Sequence, residues 1–192
     1  VEAAIGDYIM FIDVDDKLIS NDAIKLIKEK MQSNPDCILL SFQTKRPNMD
    51  PQVSILKLDK PEMAAFGPVA PWTKVIRSDL YVDMPVGTLS EDTAWHYEQC
   101  DKFYNSVTVE VPVYQYNREN KDAITESPEF FARNSITLET LAFEDVLVKA
   151  GLKDKWVSDV IRNYANMYDV RHKLTNPAAK QAWSIRFKNE CA

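Results

Sequence analysis

The sequence predicts an α/β fold, a mixed sheet flanked by helices and followed by a helical C-terminal segment. Three observations predict it. The run Tyr8-Ile9-Met10-Phe11-Ile12 is wholly apolar or aromatic and breaks abruptly into Asp13-Val14-Asp15-Asp16; this is the pattern of a buried strand. A helical stretch and a second apolar run, Cys37 to Phe42, come next, and strand–helix–strand succession marks an α/β layer. After Asn120 the strand-like runs stop and long helical patterns take over.

The elements follow in order. A strand over Tyr8 to Ile12 that is apolar throughout is buried on both faces, as in a parallel or mixed sheet packed between helices. Ser20 or Asn21 is suited to cap a helix over Asp22 to Ser33, with Ile24, Ile27 and Met31 on one face. Asn34-Pro35 ends it. Lys45 to Lys60 is polar with two prolines and reads as an exposed loop or edge excursion. Pro61 opens a short helix to Ala65, and Trp72 to Ile76 is a strand. Met84 to Thr88 is a loop, and Ser90-Glu91-Asp92 starts a helix to Cys100 with acids at its positive end. Val107, Val109 and Val111 alternate with polar residues in a strand that continues past Pro112 into Tyr114 and Tyr116. Three helices complete the chain, over about Pro128 to Ala150, about Asp154 to Leu174 and about Pro177 to Asn189; Gly151 ends the first and Asn176-Pro177 separates the last two. The organisation is an α/β part over 1–125 and a helical appendage over 126–192.

Composition narrows the function. The 192 residues are 45% hydrophobic and 27% charged, the balance of a globular protein. A net charge of −6 and a pI of about 5.0 argue against a nucleic-acid groove or a polybasic membrane surface. No apolar run reaches the length of a membrane span. Cys37, Cys100 and Cys191 are scattered and odd in number, with neither metal spacing nor a disulfide framework, which fits a reducing cytosolic setting. The chain begins at Val1, so an upstream segment is expected.

Four groups of residues can carry chemistry. In α/β sheets ligands collect beyond the carboxyl ends of strands, and Asp13, Asp15 and Asp16 there suit a hard divalent cation held together with substrate phosphates. The plainer alternative is a solvated acidic loop. Asp92 is a candidate general base; its place at a helix start lowers its pKa and weakens it as a base, and simple helix-start electrostatics would equally account for it. Trp72 offers a flat platform and Lys74 a phosphate contact, although a tryptophan is more often a core residue. Arg118, just past a strand, suits a phosphate clamp. His96 and His172 have no partner at ligand spacing and read as structural.

In order, these pieces resemble the second half of a family 2 glycosyltransferase of the GT-A fold. Its A-x-G-x-Y-I-x-F-x-D-x-D-D strand corresponds to Ala4 through Asp16. Its W-x-K is Trp72-Thr73-Lys74, its E-D at a helix start is Glu91-Asp92, and its Y-x-Y-x-x-R-like strand end is Tyr114 to Arg118. The likeness covers roughly Ala3 to Thr125. It implies an incomplete GT-A-like sheet and an inverting, metal-dependent transfer of sugar from a nucleotide-sugar donor to a carbohydrate-type acceptor hydroxyl. Asp13, Asp15 and Arg118 would meet the donor diphosphate. Asp15 and Asp16 would hold Mn²⁺ or Mg²⁺. Trp72, Lys74 and Glu91 would face the acceptor, and Asp92 would be the catalytic base. Members of this family act in the cytoplasm, some at the inner face of the membrane on cell-envelope polysaccharide, and the C-terminal helices offer a surface for a second copy. The family's nucleotide-gripping βαβ portion precedes its D-x-D, whereas only a dozen residues do here, so the chain is expected to be a fragment with little activity alone.

Two rivals remain at this stage. A haloacid dehalogenase-like phosphatase also has an apolar strand ending in D-x-D, with Asp13 as nucleophile and Asp15 as acid–base. Lys17 departs from that pattern, and no later acidic pair is evident. A non-catalytic interaction domain would leave the acids exposed and use the helical C-terminus for docking.

Overall fold

A computed structural model describes residues 4–84, 91–120 and 173–190. Its strands are β1 (Tyr8–Met10), β2 (Lys17–Leu18), β3 (Cys37–Lys45), β4 (Gln52–Ser54), β5 (Lys74–Arg77) and β6 (Ser106–Asn117). Its α-helices are α1 (Asp22–Met31), α2 (Glu91–Cys100) and α3 (Pro177–Glu190). Short 3-10 turns cover Pro61–Phe66, Pro71–Thr73 and Ser78–Leu80.

The sheet runs β1-β5-β3-β6-β2, with β4 beside the outer half of β3. β3 and β6 are parallel, and every other pairing is antiparallel. Because β1 and β3 are each antiparallel to β5, the strands β1, β3 and β6 point the same way. Alternation along β3 serves both faces of the sheet. Cys37 and Leu39 join α2 and α3 in one core with Trp95, Phe103 and Trp183. Ile38 and Leu40 join Val75, Val109 and α1 through Ala23 and Ile27 in the other. The result is the expected mixed α/β sheet with helices on both faces.

Three local readings need correction. Tyr8 to Ile12 is not a central strand buried on both faces. β1 spans only Tyr8–Met10 and lies at the end of the described sheet; Ile9 alone is buried, and Ile12 is 52% exposed. Apolar content signals burial but not which neighbour supplies it. Neither expected side chain caps α1, because Asn21 already has helical angles and makes no cap bond. The buried stripe of α1 is Ala23 and Ile27, with Leu26 and Met31 partly buried, while Ile24 faces out. The helices expected over 128–150 and 154–174 and the loop after Met84 fall largely or wholly outside the described residues.

The last helix is built as expected and is tied down twice. Asn176 caps α3, its Oδ1 accepting from the N–H groups of Ala178 and Ala179 at 3.0 and 3.4 Å, and Pro177 follows at the first helical position. Asp101, just past α2, accepts from the backbone N–H groups of Thr175 and Asn176 at 2.7 and 2.6 Å. Trp183, 2% exposed, then inserts into the core that holds Trp95 and Phe103.

α2 is buried along nearly its whole length. Trp95 donates its indole N–H to the Val82 carbonyl at 2.7 Å, and Gln99 brackets the same segment through Val82 N–H and Leu80 C=O. His96 donates from Nε2 to the Ala65 carbonyl at 3.0 Å, which leaves Nδ1 unprotonated towards Cys100 Sγ at 3.8 Å. Burial holds His96 well below its ordinary pKa and pushes the Cys100 thiol up to about 12, so both are structural groups.

Two outcomes follow from this packing. Trp183→Ala should destabilise the protein by about 3–5 kcal/mol, the usual cost of emptying a large aromatic site, and denaturant titration measures it; a loss under about 1 kcal/mol would contradict the docking of α3. His96 is neutral in the fold, whereas the unfolded chain protonates near pH 6.5. The unfolded state therefore binds more protons, and stability falls as pH drops below about 6.5 towards the lower folded pKa. Asp13, Asp16 and Asp92, whose pKa values are raised, act in the opposite direction at lower pH. Thermal midpoints between pH 7.5 and 5.5 should fall for the wild type and fall less for His96→Gln; equal slopes would contradict the assignment.

Candidate functional site

The acidic turn is placed by topology. β1 and β2 lie at opposite ends of the strand order, so the residues between them must cross the sheet at the carboxyl ends of β1, β3 and β6. The link closes in a tight turn, with Asp16 N–H donating to the Asp13 carbonyl at 3.1 Å.

β6 holds this turn. Tyr114 Oη accepts from the Asp13 backbone N–H at 3.1 Å and donates to Asp16 Oδ2 at 2.7 Å. Asn117 N–H donates to Asp16 Oδ1 at 2.7 Å. Asp16 thus has both oxygens engaged and acts as an anchor of the turn. Its pKa is raised by burial, against the pull of these two donors. Asp15 is exposed. Asp13 is exposed as a residue, yet its carboxyl is raised by partial desolvation first, and then by the charges of Asp16, Asp15 and Asp92.

That last influence is the informative one. Asp92, in the first turn of α2, lies within electrostatic reach of Asp13. Its own pKa is raised above 3.8, chiefly by burial, which outweighs hydrogen bonding to Thr93 and the positive charges of Arg186 and Lys74. The helix-start expectation of a lowered pKa is therefore reversed: desolvation disfavours the charged form more than the helix terminus favours it. A carboxylate raised in this way is a stronger base than an ordinary one. Glu91 is the first residue of α2.

Lys74 and Trp72 are where the sequence put them but do other work. Lys74 is fully buried, and its ammonium donates to the Pro68, Val69 and Ala70 carbonyls at 2.6, 3.4 and 3.1 Å and to Thr73 Oγ1 at 3.3 Å. It shapes the loop over 68–70 instead of reaching a phosphate or acceptor, and burial lowers its pKa. Trp72 is 7% exposed. It stacks on Tyr114 at 4.8 Å and 6° and on Tyr116 at 5.0 Å and 26°, with Phe42 edge-on. It is a wall, not an open platform. Beside it lies an open groove of about 360 Å³, lined by Phe42, Arg46, Pro68, Trp72, Tyr116 and Arg118 among others. Arg118 follows β6 and donates its backbone N–H to the Lys45 carbonyl at 2.8 Å.

Sequence reasoning missed Tyr114 as holder of the turn, and Arg46 and Arg186 as charges near the groove and near Asp92. The tyrosine lay within a quoted motif, yet its partners are about a hundred residues away. Nothing in the spacing of Arg186 points to Asp92.

Among the described residues no three His, Cys, Asp or Glu side chains form a ligand group, so a closed protein site does not fit. Asp15 and Asp13, with Asp16 partly committed, do fit a cation that takes its remaining ligands from phosphates and water. No described helix is long and apolar enough to cross a membrane.

The sequence matches no protein-family model and no curated protein. Among solved structures the chain is similar to the glycosyltransferase TarS of S. aureus, residues 1–349. Against TarS in complex with UDP-GlcNAc the TM-score is 0.56 at 17% identity, covering 70% of this chain and 42% of that one. Against the UDP complex it is 0.52 at 18% identity, covering 70% and 40%. TarS alone gives 0.50 at 19% identity, covering 76% and 46%. The chain thus spans under half the length of the structures it matches, and the likeness is one of fold. Its curled, mixed α/β sheet flanked by helices is a glycosyltransferase-like fold.

Proposed function

We propose that this chain is the acceptor-side half of the catalytic domain of a nucleotide-sugar-dependent glycosyltransferase, of the family 2, GT-A type. One observation carries the reading. The acidic turn at the strand ends and the buried carboxylate of Asp92 come from distant parts of the chain, yet lie close enough for the charge of Asp92 to raise the pKa of Asp13. One carboxylate group suited to a cation and diphosphate, with a second suited to a proton within electrostatic reach, is the pairing that sugar transfer with inversion requires. The likeness to TarS in complex with UDP-GlcNAc and with UDP supports a UDP-sugar as the first donor class to test.

In this mechanism the acceptor hydroxyl gives its proton to Asp92 while its oxygen attacks the anomeric carbon. The bond from that carbon to the diphosphate breaks, and the nucleoside diphosphate leaves from the opposite face. Asp13 and Asp15 would hold a Mn²⁺ or Mg²⁺ ion, which would supply charge neutralisation to the diphosphate leaving group. Trp72 and Tyr116 form the groove wall on the acceptor side, with Arg118 at its rim, and Lys74 holds the loop over 68–70 that closes the groove.

The likeness in fold to TarS favours the transferase reading over the phosphatase alternative.

Asp92→Asn tests the proposal in a transfer assay with UDP-sugars. The expected loss is about 10²- to 10⁴-fold in kcat, the usual contribution of a general base, with UDP affinity nearly unchanged because the base meets the acceptor. Retained turnover would remove Asp92 from the mechanism. The active form is the deprotonated one, so kcat/KM should fall as pH is lowered through the pKa of Asp92, and burial places that acid limb above the ordinary 3.8.

A further inference from the structure

The phenol of Tyr114 makes two hydrogen bonds to the acidic turn and belongs to neither candidate set of donor or acceptor contacts. We infer that Tyr114 is the positioning residue of the diphosphate site: its hydroxyl fixes the turn from Asp13 to Asp16 in the shape that binds a divalent cation with a nucleoside diphosphate. This rests on the function proposed above and assigns what preorganises that site.

The geometry leaves the hydroxyl one arrangement. The Asp13 N–H is a donor, so Tyr114 Oη accepts there, and its own proton goes to Asp16 Oδ2. One oxygen therefore joins the first and last acids of the turn. The backbone ladder alone holds this link weakly, since β2 pairs with β6 through only Lys17↔Gln115 and Leu18↔Tyr114. The ring cannot swing away. Tyr114 is fully buried, and Trp72 lies nearly parallel to it at 4.8 Å. Trp72 is in turn pressed by Phe42 and Tyr116. A rigid aromatic stack thus presents one hydroxyl at a fixed point below an exposed turn. Without it, any water that took over the two hydrogen bonds would not fix the distance between the acids. Groups that orient metal-binding carboxylates typically account for about 10- to 100-fold in affinity.

The test is Tyr114→Phe, which removes the hydroxyl and keeps the stack, with Trp72→Phe as the converse change. Binding of Mn²⁺ together with UDP by the full-length protein is followed by calorimetry and by the Mn²⁺ electron paramagnetic resonance signal, with thermal midpoints recorded in parallel. Asp15→Asn serves as the reference for loss of the site. The expected result is binding weakened about 10- to 100-fold in Tyr114→Phe, a smaller loss in Trp72→Phe, and thermal midpoints that do not rank with the affinities. In transfer assays Tyr114→Phe should raise the donor KM with kcat at saturation largely kept. If Tyr114→Phe binds as tightly as wild type while Asp15→Asn does not, the role of Tyr114 is overturned and the site stands. A larger loss in Trp72→Phe than in Tyr114→Phe would also overturn it, because the stack and not the hydroxyl would then matter. If wild type and Asp15→Asn bind Mn²⁺ with UDP equally, or neither binds, the diphosphate site itself is wrong and this inference falls with it.

Discussion

The parallel pairing of β3 with β6 is the constraint on which the rest depends. It runs from Cys37↔Ser106 to Lys45↔Asn117 and is the longest ladder in the described sheet. Midway the register jumps: after Leu40↔Val109 the next pair is Phe42↔Tyr114, so Ser41 alone faces Glu110 through Val113. Pro112 lies inside this bulge, where its missing N–H costs no ladder bond. Beyond the bulge the outer half of β6 carries Tyr114, Tyr116 and Asn117 to the strand ends. Two of these side chains build the aromatic wall with Trp72, and Tyr114 Oη and Asn117 N–H hold the acidic turn. Without the bulge Tyr114 would stand opposite Lys45 instead of Phe42, three residues further along the ladder and away from the turn it holds.

Buried charge is the second organising feature. Lys74 sits in the core with an ammonium surrounded by carbonyl oxygens of the loop over 68–70. Neutral carbonyls satisfy its donors without cancelling its charge, which is why burial still lowers its pKa. Its field acts on two residues one turn apart in α2, favouring ionised Asp92 and disfavouring protonated His96. One lysine therefore links the shape of the groove, the protonation of the candidate base and the neutrality of a core histidine. An interaction of that kind is costly to keep for folding alone, and its cost is consistent with a place beside a working site.

Much of the framework was legible along the chain. The apolar run Cys37 to Phe42 and the alternation in Val107 to Val111 gave strands, and Asn176-Pro177 gave a helix start, because apolar patterning and end chemistry are local properties. The acids at the end of the first apolar run were legible for the same reason. Strand neighbours were not. β1 looked central because apolar content does not say which edge is filled, and its described partner, β5, lies more than sixty residues further on.

What the sequence by itself determined is the inventory: an α/β chain, an acidic turn after an apolar strand, an acid at the start of a buried helix, and an aromatic pair near an arginine. What only the tertiary structure decided is the assignment of roles. Asp16 and Lys74 act as anchors of the turn and of the loop over 68–70, through hydrogen bonds with Tyr114, Asn117 and the carbonyls of that loop. Asp92 turned from a carboxyl expected below its ordinary pKa into one raised above it, because desolvation depends on everything packed around a carboxyl and not on its place in a helix. Residue type sets what a side chain can do, whereas distance and dielectric, which exist only once the chain is folded, decide which of those things it does.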